Sequence, residues 1–179
     1  MGRLFELLIA LFLLIHIPIT LFGDAQAVLG PEWFHPRMLD VMQGYLGTYH
    51  DPLMTPPHKP WFKSMIYLEL FLQLPYFIVG FYAFVARKNW IRIPTIIYGT
   101  SVVTTMVPIF FELWHHKAPG YNQVMVCAFY APYLFVPLAM LLKAAFSSPM
   151  FKPRGRAASS SHLAQDSLWG GPPAKAKWV

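Results

Sequence analysis

Residues 64–86 read SMIYLELFLQLPYFIVGFYAFVA, and this stretch decides the fold. Glu69 is its one charged residue, and Arg87 and Lys88 follow it immediately. As a helix rising ~1.5 Å per residue it spans roughly the 30 Å hydrocarbon thickness of a bilayer. Trp61 and Phe62 stand just before it, where amphipathic rings favour the membrane–water boundary. The stretch reads as a transmembrane helix.

Working outward, three more stretches have the same character: residues 4–22, 91–114 and 124–146. The first is too long for the apolar core of a secretory signal, typically about 7–15 residues, and it ends in Phe22-Gly23-Asp24, a poor cleavage site. It reads as a retained helix. The composition agrees, with 56% hydrophobic and only 12% charged residues against about 25% in soluble domains. The expected fold is therefore an all-α membrane protein, a four-transmembrane-helix bundle. Pro18, Pro75, Pro94, Pro108, Pro132 and Pro137 fall in or beside the spans, so the helices are expected to be proline-kinked and to leave room between them.

Basic residues set the expected orientation. Arg3, Arg87, Lys88, Arg92, Lys143, Lys152, Arg154 and Arg156 fall on one side, which predicts cytosolic termini and a long lumenal loop at residues 24–63. The net charge of +6 brings no basic stripe or motif for nucleic acid, and no partner of that kind is expected. The single cysteine, Cys127, excludes an intrachain disulfide and reads as a packing residue. The adjacent His115 and His116 read as part of a solvated turn, and no metal or cofactor is expected. Residues 1–150 form the expected membrane domain. Residues 151–179, rich in Gly, Pro, Ser, Ala and Lys, form the expected disordered cytosolic tail. Lys175 and Lys177, fifth and third from the end, resemble a lysine-based sorting signal for the endoplasmic reticulum.

Polar groups inside the spans carry the functional reading. A carboxylate within hydrocarbon costs roughly 2.5–3.5 kcal/mol, so Glu69, about 12 Å past Trp61 at ~1.5 Å per residue, calls for a partner or a purpose. Gln73 lies a turn further on the same face. Thr104, Thr105, Tyr130 and Tyr133 fall at comparable depth, and Asp24 closes the first helix on that side. Helices turning these faces inward would enclose an aromatic-lined cavity. For Gln73 and Thr104 interhelical hydrogen bonding and a functional role weigh equally, whereas Glu69 favours an ionic or ligand role. Two carboxylates in one such cavity would share a proton and suit an amine cation held over aromatic faces.

His16-Ile17-Pro18-Ile19-Thr20-Leu21-Phe22 with Asp24, Asp51-Pro52-Leu53, Trp61-Phe62-Lys63-Ser64, Glu69-Leu70, Gln73-Leu74-Pro75, Trp90-Ile91-Arg92 and Tyr130-Ala131-Pro132-Tyr133 closely resemble the sigma-2-type branch of the EXPERA family. The emopamil-binding sterol isomerases belong to the same family. The resemblance covers residues 10–150. It implies an endoplasmic-reticulum protein, a homodimer, with a pocket opening toward membrane lipid. It further implies binding of sterols, oxysterols or lipophilic amines and a part in cholesterol homeostasis or trafficking. Asp24 then pairs with the amine beside Glu69, and Gln73, Tyr98, Thr105, Phe129 and Tyr130 line the pocket. Asp51 supports it from the loop, and Tyr133 stands with it. Gly23 and Phe129 depart from the family pattern beside the acid and beside Tyr130, which shifts the expected ligand preference.

Three functions remain open. The first is a ligand-binding protein of that type, with no catalytic residues. The second is a sterol double-bond isomerase using Asp24 and Glu69 as donor and acceptor. It is disfavoured because His16, the one histidine in a span, reads as helix packing. The third is a trafficking adaptor without a ligand, which leaves Glu69 unexplained.

Overall fold

The structure, a computed structural model, describes residues 2–152. The expected tail with Lys175 and Lys177 lies outside the described residues. Among these residues the chain is helical throughout, with no strand. In chain order the helices are α1 (Arg3–Phe22), α2 (Pro36–Tyr49), α3 (Pro60–Leu68), α4 (Leu74–Ala86), α5 (Arg92–His115) and α6 (Gln123–Phe146). A π turn, Glu69–Gln73, joins α3 to α4 without a break.

Four spans are long and apolar enough to cross a membrane: Arg3–Ala27, Pro60–Ala86, Asn89–His115 and Gln123–Phe146. Their outer faces expose Phe71, Phe111, Phe135 and Phe146, which is costly in water and natural against lipid. The protein is a multi-pass membrane protein. Pro18, Pro108, Pro132 and Pro137 all sit within helices.

The bundle is built from two helix pairs, α1 against α4 and α5 against α6. At Gly99 the second pair comes close: a Cβ there would lie 2.8 Å from the Cβ of Leu141, so only a small residue fits. Leu13, Phe77 and Phe84 fill the first pair, and Leu113, Val126 and Met140 lie buried along the second. Contact between the pairs is sparser. That difference leaves room between them.

The two ends of the bundle differ. At the end carrying Arg3, the Glu6 carboxylate is buried and meets Arg87 Nε at 3.0 Å, Lys143 Nζ at 3.2 Å and Arg3 at 3.6 Å. Arg3 also donates to the last carbonyls of α4 at Phe84 and Val85, and Arg92 does the same for α6 at Ala144 and Ala145. Both arginines thereby satisfy orphan carbonyls at a negative helix end. Met150 and Phe151 fold back onto this end, where Asn89 bonds the backbone of Phe151 in both directions. The opposite end holds the loop, the short helix α2 and the cavity.

Candidate functional site

A cavity of about 820 Å³ opens where the helix pairs separate. It lies between the last turns of α1, α3 with the π turn, the middle of α5 and the first half of α6, with α2 across its outer end. Asp24, Asp51, Glu69, Gln73, Thr105, Phe129, Tyr130 and Tyr133 all stand on its wall. Residues scattered over the sequence thus share one chamber.

Local chain geometry sets each acid. α1 stops at Phe22, and Gly23 caps it with its N–H on the carbonyl of Ile19 at 2.7 Å. A Cβ at Gly23 would meet that same oxygen at 2.7 Å, so any side chain there must push the helix end aside. Asp24 opens the tight turn Asp24–Ala27 immediately afterwards. Its carboxylate makes no hydrogen bond to another described side chain and faces the open cavity.

Glu69 begins the π turn. Pro75 has no N–H to give the carbonyl four residues back, and a π turn is one way a helix absorbs such a defect. Glu69 Oε1 accepts from Thr20 Oγ1 at 2.5 Å, and His16 Nε2 lies 3.6 Å from the same oxygen. The His16 ring is stacked on Phe77 at 4.5 Å and lies beside Tyr133, while its Nδ1 is buried without a partner.

Asp51 is fully buried in the loop and organises the cavity roof. Its Oδ1 accepts from the amides of Leu53 and Met54 at 2.8 and 3.3 Å. Its Oδ2 accepts from Tyr45 at 2.9 Å and from Tyr130 at 3.1 Å. Burial, then the adjacent Asp51 carboxylate, pushes the Tyr45 phenol above its usual range, so it stays a donor. Tyr45 and Tyr49 of α2 pack on Phe129 of α6, and these contacts hold α2 in place.

Some expectations need correction. Tyr98 is not on the cavity wall: it is buried against Tyr76 at 4.2 Å, a turn before Val102, with its hydroxyl unpartnered. Thr104 turns outward and donates to Thr100, because it precedes the inward Thr105 by one residue, or about 100° of helix. His16, read from the sequence as packing, is on the cavity wall as well as in the interface. The isoleucine and leucine run around it gave no sign that α1 would bring it to Glu69. The expected long loop also contains a helix, α2, where Pro36 followed by Met38, Val41, Met42, Tyr45 and Tyr49 has helical spacing.

The chemistry of this chamber is specific. Five of the nine methionines, Met38, Met42, Met54, Met65 and Met106, line it, which gives a wall that adapts to bulky apolar shapes. Against it stand carboxylates, phenols and one imidazole. Such a wall can hold an apolar body and pair with a cation or hydroxyl at one end.

The chain is similar to known proteins over most of its length. The chain is 40% identical over 156 residues to the sigma intracellular receptor 2 of Xenopus tropicalis, covering 82% of this chain and 91% of that one. It is 38% identical over 154 residues to the Homo sapiens protein of the same name, covering 78% and 86%. It is 34% identical over 137 residues to the efficient mitochondria targeting-associated protein 19 of Schizosaccharomyces pombe, covering 71% and 67%. The model of the EXPERA family, the expanded EBP superfamily, matches residues 38–144, which run from α2 almost to the end of α6. The chain belongs to the EXPERA family.

Proposed function

We propose that this protein binds sterols and lipophilic amines inside the membrane, in the manner of a sigma-2-type receptor, and serves sterol homeostasis or trafficking. The observation that carries the reading is the 820 Å³ chamber with Asp24 and Glu69 on one apolar, methionine-rich wall. Its volume falls in the range of small-molecule sites, about 300–1,000 Å³. Asp24 is the counter-ion of an amine or the acceptor of a sterol hydroxyl. Glu69, steadied by Thr20, sets the charge behind it. Gln73, Thr105, Phe129 and Tyr130 shape the wall, Tyr133 closes it beside His16, and Asp51 holds Tyr130 from the loop. Tyr98 lies behind the wall, buried against Tyr76 and Phe77 one turn before the wall residue Val102.

The proposed setting is the endoplasmic reticulum membrane, with both termini cytosolic, the loop lumenal and two copies forming a dimer. Four spans put residue 3 and residue 146 at the same end, and six of the ten lysines and arginines among the described residues lie there. Residues 1–150 make the membrane domain and residues 151–179 a cytosolic tail bearing Lys175 and Lys177.

A second reading, sterol double-bond isomerisation, gains from His16. Such a shift adds a proton at one carbon and removes one at another, with no net redox change. His16 beside Glu69 offers an acid–base pair for it.

Asp24→Asn tests the first reading. Equilibrium binding of a cationic sigma-2 radioligand to the purified, folded variant should be lost. Unchanged affinity overturns the assignment. Mass spectrometry of lipids retained by gently purified wild type should find a sterol; its absence, with no sterol taken up on addition, counts against the sterol part alone.

A further inference from the structure

We infer that the cavity mouth carries an anion subsite at Arg37, which selects amphiphiles with an acidic oxyacid headgroup such as a carboxylate, sulfate or phosphate. The inference deepens the binding reading above and rests on it for the cavity's being a ligand site.

Phe22, Arg37 and Val41 line the cavity and are also exposed to the outside, Val41 by 74%. Together they mark its mouth. The mouth lies where α1 ends and α2 begins, beside the end of the first apolar span, Arg3–Ala27. Arg37 is the second residue of α2, and its backbone N–H is taken by the His35 ring that caps the helix. Its guanidinium forms no ion pair and no hydrogen bond among the described residues.

Of the four arginines among the described residues, Arg37 alone is free in this way. Arg3, Arg87 and Arg92, at the other end, are committed to Glu6 or to helix carbonyls. Of the acids on the cavity wall, Asp51 is committed to Tyr45, Tyr130 and two amides, and Glu69 to Thr20 and His16. A planar fork of donors, left free beside an apolar chamber, matches the geometry of an oxyanion. An amphiphile whose tail fills the chamber would leave its head at the mouth, against Arg37. The same charge opposes a cationic head there, while Asp24 within attracts one. The mouth and the interior therefore sort ligands by the sign and depth of their charge.

The test uses three probes with one tail and three heads: oleate, oleyl alcohol and oleylamine. Occupancy of the full chain in nanodiscs is read by native mass spectrometry, under mildly alkaline conditions that keep oleate ionised. Wild type should hold oleate about tenfold tighter than oleyl alcohol, as a charge-assisted bidentate contact allows. Arg37→Gln should erase that preference, leave oleyl alcohol unchanged and leave oleylamine equal or tighter. Arg37→Lys should retain part of the preference. Lys88→Gln removes the same charge from the opposite end of the bundle and should change nothing. The subsite is overturned if wild type shows no preference for oleate, if Arg37→Gln lowers all three probes alike, or if Lys88→Gln does as much. Cholesterol, run in parallel, separates the two claims. Oleate held through Arg37 without any cholesterol uptake keeps the subsite and defeats the sterol reading; cholesterol held with no response of oleate to Arg37 does the reverse.

Discussion

Nε2 of His16 stands 3.6 Å from Oε1 of Glu69, and Thr20, one turn along α1, donates to that same oxygen. Two successive turns of α1 thus serve one carboxylate of the π turn. Glu69→Gln keeps the Thr20 contact and removes the charge. Affinity for oleylamine should fall about tenfold, while cholesterol binding stays within about twofold. Titration of both ligands on one preparation checks this, and equal losses for the two would show that Glu69 acts only through packing.

Thr20 is fully buried, so Thr20→Val tests the support rather than the charge. It leaves the acid short of a donor at nearly constant volume. Thermal unfolding in detergent should report a loss of about 1–3 kcal/mol. A variant as stable as wild type would mean that water or His16 replaces the hydroxyl at no cost.

Asp51 gathers four donors from three parts of the chain. Asp51→Ala strands all of them and should destabilise the fold by about 3 kcal/mol or more. Asp51→Asn keeps one acceptor for the amides, and the tyrosine hydroxyls can turn to accept from its NH2 group. It should cost about 1 kcal/mol. Melting curves for the pair decide the matter; similar losses would reduce Asp51 to a volume filler.

Glu6 compensates Arg87 and Lys143, the latter only 5% exposed, at the far end from the cavity. Glu6→Gln leaves two cations facing each other in a poorly solvated place and should cost about 3 kcal/mol. Ligand affinity of the folded fraction should not move. A changed affinity would mean that the two ends are coupled.

The binding reading predicts no sterol isomerase activity. Expression in a yeast strain lacking its own isomerase should give no rescue. Rescue that is lost in His16→Phe, which keeps the stack on Phe77, would establish the enzyme.

The four spans are legible in the sequence because hydrocarbon imposes one length and one chemistry on any helix that crosses it. Glu69 is legible for the same reason, as a charge where charge is expensive. Glu6 carries that signal too, but it lies in the first turn of α1, where a carboxylate normally reaches water. The place of His16 on the cavity wall, beyond its packing on Phe77, and the burial of Tyr98 are not legible in the sequence, because their neighbours come from other helices. α2 was hidden by its glycines, Gly44 and Gly47, and its modest apolar content, which suits a helix lying along the surface rather than through it.

The π turn has a consequence for how this chain can vary in length. One residue of α-helix is about 100° of rotation, and Glu69–Gln73 fixes the phase between the half that packs Phe77 and Phe84 on α1 and the half that aims Met65 and Ile66 at the chamber. A π turn holds one residue more than a turn of α-helix, so deleting one residue there restores plain α-helix and keeps the phase of the two halves, whereas the same deletion in α3 or α4 swings one half by more than a quarter circle. Between Trp61 and Phe77 the π turn is therefore the place where this span can lose a residue and still present both halves as they stand.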